Sequence, residues 1–158
     1  MRSCNCGYFS MLNKHTFTEP IEGLFVEINL RKTKLLFFGS YRSDNPILGV
    51  STEEYFHQVC LALDRYSTYD KFLLAGDFNT EENDSILEDF LFEHNVSNLV
   101  KEPTCFKSIS NPSCIDLFLT NSPLSFQTTS TVTTGLSDFH RMVVTVMRSS
   151  TCKNFEEN

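Results

Sequence analysis

Phe72-Leu73-Leu74-Ala75-Gly76-Asp77-Phe78-Asn79 is the stretch from which the fold can be read. The run Phe72 to Ala75 is too short for an ordinary helix and suits a strand buried on both faces beneath helices. Gly76 ends the run, and Asp77 and Asn79 follow where the carboxyl edge of a sheet would open into a loop. Ligand sites of open α/β sheets favour that edge. In extended chain, residues two apart project to the same side, so a carboxylate and a neutral amide would face one small volume. Such a pair suits phosphoryl chemistry: the acid can orient or deprotonate a water, and the amide can donate to a phosphate oxygen without repelling it. Taken alone, the same residues are also ordinary turn formers.

The flanking patterns place this strand in a larger sheet. Upstream, Leu24, Val26, Ile28 and Leu30 alternate with Phe25, Glu27 and Asn29, the period of a strand with one buried face. The segment Lys34 to Gly39 supplies a second strand. Phe56, Val59, Cys60, Leu63 and Tyr66 then recur at helical spacing, and Ser51 with Glu54 forms a capping box, so a helix is expected over Ser51 to Tyr66. A second helix is expected from about Asn83 to His94, with Ile86, Leu87, Phe90 and Leu91 on one side. After a loop punctuated by Pro103 and Pro112, Ile115, Leu117 and Leu119 alternate with Asp116, Phe118 and Thr120. Phe126 to Thr133 and Met142 to Met147 read as the last strands. Strands alternating with helices, then strands in succession, predict an α/β domain with a mixed sheet.

Composition allows one such domain. The 158 residues are 41% hydrophobic with only 6 Gly and 5 Pro, enough core-forming side chains and too little low complexity for a disordered chain. We expect a domain over 21–148, an irregular N-terminus over 1–20 and a flexible tail over 149–158. Lys and Arg number 13 against 20 Asp and Glu, a net charge of -7, which argues against a general nucleic-acid coat but not against an enzyme whose acids bind a cation. No segment has the apolar length of a signal peptide or membrane span, which predicts a soluble intracellular protein, a setting compatible with the nucleus. The six cysteines are then expected to be thiols. Cys4 and Cys6, with His15 downstream, lack the paired spacing of a zinc site.

Three further polar positions follow or interrupt strands. Tyr41, in Gly39 to Pro46 (GSYRSDNP), can present a phenol at a strand end. Asp116 interrupts its strand on the face opposite Ile115 and Leu117. Asp138 and His140, in Gly135 to His140 (GLSDFH), place an acid and an imidazole just before the last strand, where a carboxylate can fix the tautomer of a histidine. Each has a plain structural reading as well: a half-buried aromatic, a solvent-facing acid, a loop decoration.

Taken in order, GSYRSDNP, LLAGDFN, SCIDLFLTN and GLSDFH resemble the endonuclease/exonuclease/phosphatase superfamily over about Gly23 to Met147. They are most similar to the apurinic-type endonuclease domain of LINE-type non-LTR retrotransposons, as is the flanking text KEPTCFK. The resemblance implies a DNase I-like four-layer α/β/β/α sandwich and Mg²⁺-dependent hydrolysis of DNA phosphodiesters, with Mn²⁺ as a substitute ion. It matches Tyr41 to the tyrosine at the scissile phosphate and Asp77 to the aspartate that activates the water. Asn79 is the amide beside it, Asp116 the aspartate that orients the closing histidine, and Asp138 the metal-side aspartate of the last motif. Asp77 and Asp138 are thus the implied metal ligands.

Two departures accompany the matches. The family opens with an Asn-bearing strand and a Glu that is its chief metal ligand; neither is found here, and Glu27 reads as solvent-facing. The chain is therefore expected to hold a truncated sandwich with an uncovered apolar edge. In the closing motif, usually Ser-Asp-His, Phe139 holds the histidine's place and His140 comes one residue late. In a strand such a shift turns a side chain to the opposite face, so His140 could substitute only across a bulge. Three readings result: a Mg²⁺-dependent endonuclease with impaired activity, an inactive remnant kept for binding, and a small-molecule phosphatase of the same superfamily. The sequence gives no oligomeric state.

Overall fold

The computed structural model describes residues 8–12, 17, 21–30, 33–45, 47, 49–81 and 83–148. The cysteine pair Cys4/Cys6, His15 and the expected tail lie outside them. The described residues form β1 (Tyr8–Met11), β2 (Glu22–Leu30), β3 (Thr33–Tyr41), α1 (Thr52–Arg65), β4 (Lys71–Asp77), α2 (Ser85–Glu93), β5 (Ser97–Asn98), β6 (Asp116–Thr120), β7 (Phe126–Val132) and β8 (Met142–Met147), with a 3₁₀ turn at Pro123–Ser125. The strands β1-β2-β3-β4-β6-β5 make one mixed sheet, parallel only between β3 and β4, where α1 forms the crossover; β7 and β8 pair separately. The predicted α/β class holds. Strand β1 falls within the stretch expected to be irregular, and it pairs along β2.

The helices begin where their caps dictate. Ser51 accepts the Glu54 N–H at 3.1 Å, and Asp84 accepts those of Ile86 and Leu87, satisfying amides that the first turn leaves without carbonyl partners. Strand alternation then divides the core in two. Phe25, Leu36, Phe38, Leu74, Leu117 and Leu119 face the helices and meet Tyr55, Phe56, Val59, Leu87 and Phe90. Leu35, Leu73, Phe37 and Phe118 face the other way and pack on Phe126 of β7 and Met147 of β8. Each such side chain taken fully from water is worth about 1.5–3 kcal/mol, so both faces of the sheet are held firmly. Three of the expected four layers are thus built by the described residues: helices, sheet and the β7–β8 ribbon. The ribbon's outer face leaves Val132, Met142, Val144 and Val146 exposed.

Two details depart from the sequence reading of β2. Its deepest residue is Phe25, whereas Leu24 is 40% exposed, because the helices cover the face of Phe25, Glu27 and Asn29. Glu27 is accordingly not solvent-facing: its side chain is 14% exposed and accepts from Asn29 Nδ2 at 2.5 Å, Tyr69 OH at 2.7 Å and Lys34 Nζ at 3.2 Å. The Asn29 and Tyr69 hydrogen bonds, aided by Lys34, hold the carboxyl down at about 2. A carboxylate whose folded pKa is depressed stabilises the fold above its unfolded value and loses that contribution as pH falls toward the folded one. Glu27→Gln should therefore lower the melting temperature at pH 7 and flatten its decline between about pH 4.5 and 2, as an acid series of thermal melts would record.

Candidate active site

Register brings three of the candidate residues into one row. Tyr41 of β3 is the cross-strand partner of Asp77 in β4, and Asp77 is the partner of Asp116 in β6. Side chains in register share a face, and this is the face of Leu35, Phe37, Leu73 and Phe118, continued past its last apolar members. The row stands at the carboxyl ends of β3 and β4, where the sheet opens. Tyr41 is 41% exposed there and Asp77 is half-buried.

The loop after Asp77 is fixed by Arg42, a residue the sequence reading passed over. Its buried guanidinium donates from Nε to Phe78 O at 2.6 Å, from Nη1 to Val50 O at 3.1 Å, and from Nη2 to Asn79 O and Thr80 Oγ1. Asn79 returns a bond from Nδ2 to Arg42 O at 2.7 Å and adopts a left-handed φ of 46°. Asparagine tolerates that conformation better than most residues. The Asn79 N–H also reaches Asp77 Oδ1 at 3.0 Å. Burial pushes the Asp77 carboxyl above the usual carboxylate range, and the charge of Asp116 adds to it, against the opposing Asn79 N–H, His140 and Lys107.

Asp116 is placed from behind by Thr104, another residue with no mark in the sequence reading. The fully buried Thr104 hydroxyl oxygen accepts from the N–H groups of Ile115, at 3.2 Å, and Asp116, at 3.1 Å. Asp116 Oδ2 is buried without a hydrogen-bond partner, an arrangement that costs free energy unless a donor or cation can reach it. His140 Nδ1 stands 3.8 Å from it, farther than a hydrogen bond. Active-site contacts of this kind commonly tighten only when substrate binds.

The one-residue displacement of His140 is absorbed by a turn. Strand β8 starts only at Met142 and His140 makes an isolated bridge ahead of it, so strand alternation does not govern residues 137–139. Ser137 Oγ accepts from the N–H groups of Phe139, at 3.3 Å, and His140, at 3.0 Å, winding the extra residue outward. Phe139 is left 53% exposed, and His140 takes the position facing Asp116. Asp138 is exposed on the turn. Among the described residues no hydrogen bond or ion pair joins it to Asp77, and no three His, Cys, Asp or Glu side chains are grouped to hold a metal ion.

The sequence matches a known family. Residues 35–144, well over half of the chain, fit the model of the "Endonuclease-reverse transcriptase" family. The chain belongs to that family. As an endonuclease–reverse transcriptase family member it is a nuclease-type protein, and the row Tyr41, Asp77, Asp116 lies within the matched residues. Its fold is that of the endonuclease domain of TRAS1, a telomere-specific non-LTR retrotransposon, at a TM-score of 0.65 and 16% identity over 92% of this chain and 80% of that one. An endonuclease/exonuclease/phosphatase family protein from Leptotrichia buccalis aligns at 0.63 and 14% identity, over 92% and 72% of the two chains. Beta toxin from Staphylococcus aureus, in a structure with bound magnesium ions, aligns at 0.50 and 13% identity over 79% and 53%. No curated protein matches the sequence. No described helix is long and apolar enough to cross a membrane.

Proposed function

We propose that the chain is a Mg²⁺-dependent phosphodiesterase of endonuclease type, acting on DNA with reduced efficiency. The observation that carries this reading is the in-register row Tyr41, Asp77 and Asp116 with His140 opposite Asp116. Asp77, its carboxyl pushed up by burial, suits the task of orienting and deprotonating the attacking water. Asn79 keeps one amide N–H beyond the one given to Arg42, and with the Tyr41 phenol it would position the phosphate. Asp116 would hold His140 in the tautomer that donates from Nδ1, leaving the far edge of the ring for a phosphate or departing oxygen.

The donor chemistry fits a hard divalent cation. Mg²⁺ takes oxygen ligands, keeps several waters, and needs only one or two carboxylates. Asp77 would hold it, with Asp138 of the neighbouring turn as the second carboxylate that the resemblance suggests. When bound, such an ion supplies charge neutralisation on the phosphate and the leaving oxygen. Reduced efficiency is favoured by the missing three-ligand group among the described residues. That observation also supports the second reading, an inactive remnant acting as a binding module. Supercoiled plasmid incubated with the protein and Mg²⁺ or EDTA separates the two. Nicking that needs Mg²⁺ and disappears in Asp77→Ala would sink the remnant reading. Intact plasmid in every lane would sink the active one.

A further inference from the structure

His140 has a contact that its proposed role does not require. Its second ring nitrogen, Nε2, lies 3.8 Å from the sulfur of Cys105, within reach of a thiol hydrogen bond. The backbone fixes this approach. Cys105 and His140 form an antiparallel bridge, flanked by Arg141 N–H to Thr104 O at 2.9 Å and Phe106 N–H to Phe139 O at 2.7 Å. On its other side Cys105 exchanges two backbone hydrogen bonds with Ser113, and the Arg141 guanidinium lies 4.1 Å over the Phe106 ring. Cys105 is 4% exposed, too enclosed to serve as a nucleophile. An imidazole has two nitrogens, and here one faces Asp116 and the other Cys105.

We propose that Cys105 is a positioning residue that latches the Nε2 edge of His140 inside the protein, so that a phosphodiester must displace the thiol before the imidazole can serve it. The latch rests on the hydrolytic reading of His140 only for its effect on rate; the hydrogen bond itself does not. With Nδ1 protonated toward Asp116, Nε2 carries the lone pair and the Cys105 S–H donates to it. Thr104 and Cys105 then act on the two sides of one contact: Thr104 sets Asp116 through its backbone, and Cys105 sets the ring that Asp116 faces.

Two variants test this. Cys105→Ala removes the thiol, and Cys105→Val removes it while filling the buried space, so a packing defect in one is separated from the loss of the donor in both. The His140 ring nitrogens are followed by long-range ¹H–¹⁵N spectra at one fixed pH, and plasmid nicking is timed with Mg²⁺. The Nε2 resonance should move in both variants while Nδ1 stays, and nicking should quicken about two- to fivefold, the effect of one weak hydrogen bond. An unmoved Nε2 resonance, or nicking unchanged or slowed in both folded variants, would overturn the proposal. If neither the wild type nor the variants nick DNA in an Asp77-dependent way, the hydrolytic reading fails, and the Nε2 resonance alone decides whether the thiol holds the ring.

Discussion

Asp77→Asn should abolish Mg²⁺-dependent nicking while making the folded protein slightly more stable. Asparagine preserves the shape of the side chain and the acceptor that takes the Asn79 N–H, so the loop keeps its 3.0 Å contact. What disappears is a carboxylate that burial and Asp116 both disfavour. Loss of a general base costs about 10²–10⁴ in rate. Because the carboxyl is half-buried and partly screened by solvent, the stability gain is modest. A rise in melting temperature of about 3 °C at neutral pH in EDTA is the size expected for a change near 1 kcal/mol in a domain of this length. A fall in melting temperature would mean that the Asp77 charge is more favourably paired than its neighbours indicate. Opposed effects on rate and stability would mark Asp77 as a residue kept for chemistry.

The site was legible in the sequence where it follows strand periodicity and illegible where it depends on distant backbone. Phe72 to Ala75 announced a buried strand, and the split of Leu73 and Leu74 between the two core clusters is what a strand covered on both faces requires. The Gly-Asp-Phe-Asn sequence after it located the loop. Arg42 stands beside Tyr41 in the sequence, yet three of its four acceptors are carbonyls of Val50, Phe78 and Asn79, which carry no residue-type signal. Thr104 acts through the N–H groups of residues 115 and 116 and was hidden for the same reason. Glu27 looked exposed because its partner Tyr69 is 42 positions away. The strand rule misplaces His140 because residues 137–139 bend before it, and spacing alone does not reveal that the Ser137 hydroxyl holds that bend.

Gly76→Ala should be the most damaging single methyl added to this chain. Gly76 has φ 155°, in a region that side chains with a Cβ rarely occupy, and a Cβ built there would lie 1.7 Å from Ser40 O. The obstacle is backbone, paired with Gly76 in the β3–β4 register, so no rotamer change can relieve it. Strand separation would be the only relief, at the place where the sheet carries Tyr41, Asp77 and Asp116 in line. Backbone strain and overpacking together are expected to cost about 3–5 kcal/mol, a large part of the stability of a domain this size. The melting temperature should fall by about 10 °C or more. Protein that remains folded in the cold should still lose nicking, because parting β3 from β4 moves Tyr41 away from Asp77 and pulls on the Arg42 N–H to Asp77 O bond of 2.9 Å. A stable Gly76→Ala protein with unchanged activity would show that the strands can part there without disturbing the row, and that the close approach of Gly76 to Ser40 is not what aligns the site.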